Sequence, residues 1–151
     1  MVDEFDFLDQ PGALPVPAAD SATRTAAAVA LEGVRGDLLD WAAAATCART
    51  DHPTRRGRRG ELQARQDLDF CVRHVHAALA HGSDGACLDA LQQAAALLAT
   101  RGVDAGQWRA DVAVLIEAVR RFVPPPAGVF VARELRTALD REAVAPRVVA
   151  R

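Results

Sequence analysis

The chain has 151 residues, of which 50% are hydrophobic and 25% are charged. This composition suits a single globular domain and excludes a disordered chain. The net charge of -2 disfavours a general nucleic-acid binder, which would carry a basic excess. All 18 basic residues are Arg, and the absence of Tyr excludes chemistry that needs a phenolic hydroxyl.

The cysteines and the apolar runs indicate the compartment. The chain has an odd number of cysteines, three, and no CxxC spacing among them: Cys47, Cys71 and Cys87. Neither a disulfide framework nor a zinc motif is therefore expected. A reducing, cytoplasmic location is therefore predicted. No apolar run approaches the roughly 20 residues of a membrane span, and the acidic N-terminus does not resemble a secretory signal.

Residues 1–19 contain three prolines and a glycine, and they are predicted to form an extended N-terminal arm. The rest of the chain, residues 20–151, is predicted to form one helical domain. No segment of it shows the sustained alternation of apolar and polar residues that is typical of a strand. The fold class expected from the sequence is therefore all-α, with five or six helices.

The first helix is expected to begin at Asp20 or Ser21, because both residue types are favoured N-caps. Apolar residues then recur at helical spacing as far as about Arg49. Gly33 and Gly36 lie inside this pattern, and they predict a bend or a break in the helix.

A loop is predicted for residues 50–60, which hold one proline, two glycines and four arginines. The next segment, 61–81, is predicted to be one long helix that ends at Gly82 in the left-handed conformation. Its buried face is a stripe of apolar residues at helical spacing: Leu68, Val72, Val75 and Leu79. A neighbouring stripe carries an acid, an aromatic ring and two imidazoles: Asp67, Phe70, His74 and His81. This second stripe is where a ligand is expected to bind.

Three more helices are predicted at about 85–100, 104–122 and 127–144. Asp84 and Asp104 are the expected N-caps of the first two, and three consecutive prolines break the chain before the last. Each segment has apolar residues at helical spacing, so each is expected to turn one face towards a shared core.

The charged residues of the long helix and of the loop before it each allow two interpretations, one as a ligand contact and one as a solvated surface group. Asp67 either accepts hydrogen bonds from ligand N–H groups or is a solvated acid that the helix dipole favours near the N-terminus. The four arginines at positions 55, 56, 58 and 59 either pair with ligand carboxylates or form a solvated basic loop.

Other kinds of site are disfavoured. Cys71 and His74 have a chelating spacing, but no companion cluster of metal ligands occurs elsewhere. Haem binding in the manner of ordinary globins needs a proximal His on the helix at 84–100, which contains none. The chain also lacks GxSxG, HExxH and Gly-rich phosphate motifs, so we predict that it is not an enzyme.

The run DLDFCVRHVHAALAHG resembles the bilin-bearing helix of the phycobiliproteins, the light-harvesting globins of cyanobacteria. The Asp of the family motif corresponds to Asp67, its aromatic pair to Phe70 and Cys71, and its helix-ending Gly to Gly82. Weaker similarity extends the match to roughly residues 58–145. The resemblance implies a globin-like, phycobiliprotein-like helical domain.

The departures from the family pattern are informative. The bilin-attaching Cys of the family falls on Ala64 and its motif Arg on Gln66, so the standard thioether bond is excluded at that place. The family's propionate-facing Arg has its counterpart in Arg58 or Arg59. The chain therefore looks like the phycobiliprotein-like globins of non-photosynthetic bacteria that are associated with bilin biosynthesis, and unlike an antenna subunit.

The resemblance implies a carrier or sensor that binds a bilin (biliverdin, phycocyanobilin or a similar linear tetrapyrrole) without the standard thioether bond. Cys71 offers a secondary attachment point, although on the family pattern it faces inward. The residues expected to contact the bilin are Arg58, Arg59, Gln63, Gln66, Asp67, Phe70, Cys71 and His74. A homodimer and a bilin-biosynthesis enzyme are the expected partners, with neither nucleic acid nor membrane. Two alternatives remain: a ligand-free globin-like interaction or dimerisation module, and a bilin-modifying enzyme with His74 or Asp67 as proton donor.

Overall fold

The computed structural model describes residues 20–82 and 85–144. Within these ranges the chain is helical and contains no strand, so the all-α prediction is confirmed. The helices are α1 (Ser21–Ala48), α2 (Gly57–His81), α3 (Ala86–Ala99), α4 (Ala105–Phe122) and α5 (Ala127–Val144). A short 3-10 helix, Pro53–Arg55, joins α1 to α2 and is called the linker turn below. The predicted arm at 1–19 and the predicted cap Asp84 lie outside the described residues.

The helices share one core around α1, which contacts α2, α4 and α5, while α3 packs on α2 and α5. The apolar stripe predicted on α2 is at most 4% exposed and faces this core: Leu68, Val72, Val75 and Leu79. Burying each side chain of this size contributes about 1.5–3 kcal/mol. Packing of such faces, more than helix propensity, therefore holds the bundle together.

The helix starts follow the predicted capping pattern. Asp20 accepts a hydrogen bond from the backbone N–H of Thr23 at 2.8 Å, and Asp104 accepts one from Gln107 at 2.8 Å. Both acids lie in the positive field of a helix N-terminus, and the bonds from backbone N–H groups lower their pKa. The two cap predictions are confirmed.

The predicted break in the first helix is wrong, because α1 runs for 28 residues without interruption. A Cβ added at Gly33 or Gly36 would meet no atom within 4 Å. The two glycines therefore lower helix propensity without marking a close approach. Burial of Leu31 and Leu38 on the inner face outweighs that loss.

The long helix begins earlier than predicted, at Gly57, inside the segment expected to be a loop. Gly57 has φ +67°, a left-handed conformation that turns the chain from the linker turn into α2. Gly60 allows the linker turn to lie against the first turn of α2. A Cβ at Gly60 would be 2.4 Å from the carbonyl carbon of Arg55.

The predicted left-handed end of the same helix is also wrong. Gly82 has φ -92° and ψ -177°, an extended conformation. Glycine is needed there for space, because a Cβ would lie 2.4 Å from the carbonyl oxygen of Ala78 and 2.5 Å from the Cβ of Ala86. The close approach of α2 to α3, and not a positive φ, therefore explains this glycine.

We expect Gly60→Ala to lower the free energy of unfolding by about 1–3 kcal/mol, because the new methyl group would force the linker turn away from α2. Gly33→Ala is the matched control in open space, and it should raise stability by about 0.5–1 kcal/mol. Urea unfolding followed by circular dichroism measures both. If Gly60→Ala is as stable as the wild-type protein, the close approach is not a constraint.

Candidate functional site

The linker turn places Arg55 inside the protein. Its side chain is 0% exposed, although it belongs to a cluster of four arginines that the sequence places in a loop. His52 caps the turn, since its Nδ1 accepts a hydrogen bond from the backbone N–H of Thr54. With Gly60 admitting the turn against α2, Arg55 enters the space between α2 and α4.

Arg55 pairs there with two buried carboxylates from different helices. Its Nη1 is 3.3 Å from Oδ2 of Asp67 on α2, and its Nη2 is 2.6 Å from Oδ2 of Asp111 on α4. Both aspartates are 1% exposed. We call Arg55, Asp67 and Asp111 the buried ion cluster. Removing one member would leave a buried charge without its partner, which costs several kcal/mol.

Polar side chains occupy the remaining carboxylate oxygens of the cluster. Oδ1 of Asp67 accepts a hydrogen bond from Nε2 of Gln63 at 3.0 Å. Oδ1 of Asp111 accepts bonds from Oγ1 of Thr46 at 2.8 Å and Nε2 of Gln107 at 2.7 Å. Asp67 is therefore not the solvated acid that one interpretation of the sequence described, and its oxygens already accept bonds from protein donors.

Arg101 connects the buried ion cluster to the surface. It lies in the turn after α3, and its Nη1 is 3.5 Å from Oδ1 of Asp67 although its side chain is 54% exposed. Its guanidinium carbon is also 5.8 Å from the centre of the Phe70 ring, within the range of a cation–π contact. Without Arg101 the cluster holds two negative charges and one positive charge.

A cavity of about 500 Å³ opens beside Asp67 and is called the arginine cavity below. Its wall comes from the linker turn, the start of α2 and the turn after α3: Pro53, Thr54, Arg56, Arg59, Gly60, Gln63, Gln66 and Arg101. Gln63 and Arg101 line the cavity and also contact Asp67, so this carboxylate lies directly behind the wall. The volume is within the range of about 300–1,000 Å³ that small-molecule sites occupy.

The arginine cavity carries positive charge, since three arginines and no acid line it. Among the described residues Arg59 has no hydrogen-bond or ion-pair partner, and Arg56 donates only to the backbone oxygen of Asp51. The first turn of α2 has neither an acid nor a capping side chain, so the helix dipole adds to the positive field. Arginines at this end are repelled by the positive end of the helix dipole, and a bound anion would reduce that repulsion.

The structure places three of the eight predicted contact residues in the cavity wall: Arg59, Gln63 and Gln66. Asp67 lies behind that wall. Arg58 is exposed and is not part of the lining, although it neighbours Arg59 along the chain.

The aromatic residues of the predicted stripe continue from the arginine cavity along α2. The rings of Phe70 and His74 have centroids 4.4 Å apart, and Nδ1 of His74 donates to the backbone oxygen of Phe70 at 2.9 Å. Cys71 faces the core instead and is 1% exposed. Burial raises the pKa of its thiol to about 12, so it stays neutral and is poorly placed to attach a ligand.

Sequence reasoning missed Asp111, Arg101 and Thr54 as members of the site. Asp111 had a usable signal, because it lies between Trp108 and Val112 on the apolar face of α4, where an unpaired acid is rarely found. Nothing local in the sequence distinguishes Arg101 or Thr54, since both reach the cavity from turns.

Comparisons with known proteins identify no relative: no protein family, no curated protein and no solved structure matches this chain. The globin-like arrangement therefore stays a prediction from sequence resemblance. In the described part of the chain, none of the helices is long and apolar enough to cross a bilayer. In the same part, no three His, Cys, Asp or Glu side chains come together as a metal site would require.

We expect Arg55→Met to lower the free energy of unfolding by about 3–5 kcal/mol, because it leaves two buried carboxylates without their shared cation. The control is Arg65→Met, which breaks an exposed ion pair with Asp40 and should cost less than about 1 kcal/mol. Chemical denaturation of the two variants provides the measurement. A similar loss of unfolding free energy in both variants would mean that the buried ion cluster stabilises the fold no more than an exposed ion pair does.

Thiol labelling tests the burial of the cysteines. Burial raises the pKa of Cys71 and Cys87 to about 12, whereas Cys47 is partly exposed. Iodoacetamide should therefore modify only Cys47 in the native protein at neutral pH, and all three residues after unfolding. Peptide mass spectrometry locates the adducts. Rapid labelling of Cys71 in the native protein would contradict its placement in the core.

Proposed function

We propose that this protein binds an elongated anionic ligand, a bilin such as biliverdin, in the arginine cavity and along α2, as a carrier or sensor. One observation carries the proposal: a cavity with three arginines and no acid adjoins an aromatic ring on the helix face to which the sequence resemblance points. A linear tetrapyrrole combines the two chemistries that this arrangement suits, a pair of carboxylates and a long conjugated body.

The arginines suit the carboxylates of the ligand. Three arginines line the arginine cavity: Arg56 just before α2, Arg59 in its first turn and Arg101 in the turn after α3. A guanidinium group presents two parallel N–H donors that match a carboxylate. Each charge-assisted hydrogen bond contributes about 1.5–3 kcal/mol, so a few of them support micromolar affinity after the cost of association.

The length of the binding face suits the conjugated body. Arg59, Gln63, Gln66, Phe70 and His74 recur at intervals of three or four residues, which places them along one side of α2. The sixteen residues from first to last are separated by fifteen steps of about 1.5 Å, which span about 22 Å of helix. Phe70 and His74 therefore extend the arginine cavity as an aromatic flank.

The polar groups of the cavity wall are suited to accept hydrogen bonds from the pyrrole N–H groups of the ligand. Asp67 already accepts bonds from Gln63 and Arg55, so its role is to hold its neighbours in place and not to face the ligand. Gln63 donates through Nε2 to Asp67, which leaves its Oε1 as an acceptor for a ligand N–H. Binding is non-covalent, because Ala64 has no sulfur and Cys71 is buried.

The interaction-module alternative would need an apolar face. The exposed large apolar residues in the described part of the chain lie on four different helices: Val29, Leu62, Leu97 and Val129. They therefore form no apolar stripe along any one helix, and a single exposed apolar residue on a helix is ordinary. Bilin binding is therefore the better-supported proposal, and the homodimer and enzyme partners stay predictions.

We expect the wild-type protein to bind biliverdin with a sharpened long-wavelength absorption band. Arg59→Gln should weaken binding about 10- to 100-fold, since it removes one charge-assisted bond of about 1.5–3 kcal/mol. Arg58→Gln, one residue away and outside the cavity wall, should leave the affinity unchanged. Absorption titration of each protein measures the dissociation constants.

Biliverdin dimethyl ester is the matched ligand, because it lacks both carboxylates. Its affinity should be weaker than that of biliverdin and equal in the wild-type and Arg59→Gln proteins. The role of Arg59 would be contradicted if Arg59→Gln lowered the affinity for both ligands equally. It would also be contradicted if Arg58→Gln lowered the affinity for biliverdin as much as Arg59→Gln does. An unchanged biliverdin spectrum with the wild-type protein would contradict the proposed function itself.

A further inference from the structure

We infer that residues 3–9 of this chain dock in the arginine cavity and compete there with an anionic ligand. We call these residues the acidic segment; they belong to the N-terminal arm predicted from the sequence. The inference goes beyond the proposed function, because the competition applies to any anion that binds the cavity and not to a bilin alone.

The acidic segment and the arginine cavity have opposite charge. The segment reads DEFDFLD, with four acids and no basic residue. The cavity wall has three arginines and no acid. Among the described residues Arg59 has no hydrogen-bond or ion-pair partner, so its guanidinium group is available to a carboxylate. Carboxylates of the segment supply the anion that this wall lacks.

The charge balance of the whole chain supports the same pairing. The chain has 20 acids, of which four lie in the acidic segment, so the other residues hold 16 acids against 18 arginines. The rest of the chain is therefore positive, and the segment makes the net charge negative. Opposite charges in one chain attract each other most where the positive groups are concentrated and lack acidic neighbours, which describes the arginine cavity.

The apolar residues of the acidic segment also have counterparts beside the cavity. Phe5, Phe7 and Leu8 stand between the acids. On α2 the cavity continues into the aromatic flank of Phe70 and His74. Leu62, one turn before the wall residue Gln66, is 54% exposed. A peptide that mixes carboxylates with aromatic rings therefore matches the site better than a uniformly acidic peptide.

Contacts between α1 and α2 show how far the arm must reach. Arg35 of α1 pairs with Asp69 of α2. Further along α1, Asp40 pairs with Arg65, which comes before Asp69 on α2. The two helices are therefore antiparallel. On this register the turn of α1 that faces Gln63 lies about 20 residues after the helix start, which is about 30 Å along the axis.

The arm is long enough to cover that distance. Asp20 caps the start of α1, and the chain between it and the acidic segment includes three prolines. A proline-rich chain rises about 3.1 Å per residue when extended, so the steps from Asp20 back to Asp9 span about 34 Å and those back to Asp6 about 43 Å. Asp9 therefore reaches the level of the cavity, and the acids before it have length to spare for crossing α2.

The covalent connection makes weak contacts sufficient. A segment tethered by a short linker has an effective concentration on the order of millimolar at a site that it can reach. Carboxylate–guanidinium pairs that would bind a separate peptide poorly can therefore fill the cavity. A ligand must displace the segment, so its apparent dissociation constant rises as the fraction of open molecules falls.

Paramagnetic broadening tests the docking without any ligand. A nitroxide label attached through Gln10→Cys, next to the acidic segment, reacts at that position alone in a Cys47→Ser background, because Cys71 and Cys87 are buried. The backbone amide signals of Gln63 and Gln66 should be strongly broadened at low salt. High salt should relieve the broadening, since it screens exposed charges.

Two charge variants of the labelled protein separate a specific contact from a general charge effect. Most of the broadening should be lost when three acids of the segment are neutralised: Asp3→Asn, Glu4→Gln and Asp6→Asn. The matched control neutralises three exposed acids of α1, α3 and α5 and should retain the broadening: Asp37→Asn, Asp89→Asn and Asp140→Asn.

Three results would overturn the docking. The first is the absence of broadening at Gln63 and Gln66 in the labelled protein with all its acids. The second is equal broadening in the neutralised variant and in its control. The third comes from a mixture of unlabelled, isotope-enriched protein with nitroxide-labelled protein at natural abundance. Equal broadening in that mixture would place the segment on a neighbouring molecule instead of its own cavity.

Biliverdin titration of the proteins without a nitroxide label measures the competition. The neutralised variant should bind biliverdin more tightly than the wild-type protein, about tenfold if the segment closes the cavity in about nine molecules of ten. The control variant should match the wild-type protein. Equal affinities of all three would overturn the competition. A wild-type protein that binds no biliverdin would contradict the proposed function, whereas the broadening experiment would still decide the docking.

Discussion

The position of Arg55 between two buried carboxylates is the interaction on which the rest of this structure depends. It joins the linker turn to α2 through Asp67 and to α4 through Asp111, and Thr46 adds α1 through its bond to Asp111. Apolar side chains of similar volume could often hold such helices equally well. What charged groups add is direction, because a guanidinium group must meet its carboxylates at fixed angles and distances. The linker turn is therefore held in one position on α2.

That position gives four neighbouring arginines different surroundings. Arg55 is enclosed, Arg56 and Arg59 line the arginine cavity, and Arg58 is exposed and is not part of the lining. The closely packed Gly60 lets the linker turn approach α2, and Gly60 itself lies in the wall of the cavity. The same contacts that stabilise the fold thus produce the concentration of positive charge to which we assign ligand binding.

Residues shared between the buried ion cluster and the arginine cavity relate stability to the proposed function. Gln63 and Arg101 each contact Asp67 on one side and line the cavity on the other. A ligand that contacts these two side chains therefore also bears on contacts that stabilise the fold. Asp67 is then a positioning residue, in place of the direct ligand contact that the sequence resemblance implies.

Helical periodicity in the sequence determined the all-α class and the core face of α2. The preference for aspartate at helix starts determined the two caps. All of these depend on residues within a few turns of one another. The sequence also singled out a helix that lines the arginine cavity, through Arg59, Gln63 and Gln66. Only the tertiary structure decided which arginine is buried, that Asp67 is paired with it, and that Asp111 and Arg101 complete the site. Those facts depend on contacts between residues up to 56 positions apart. No local pattern records such contacts, because burial of a charge depends on which partners the packed helices bring to it.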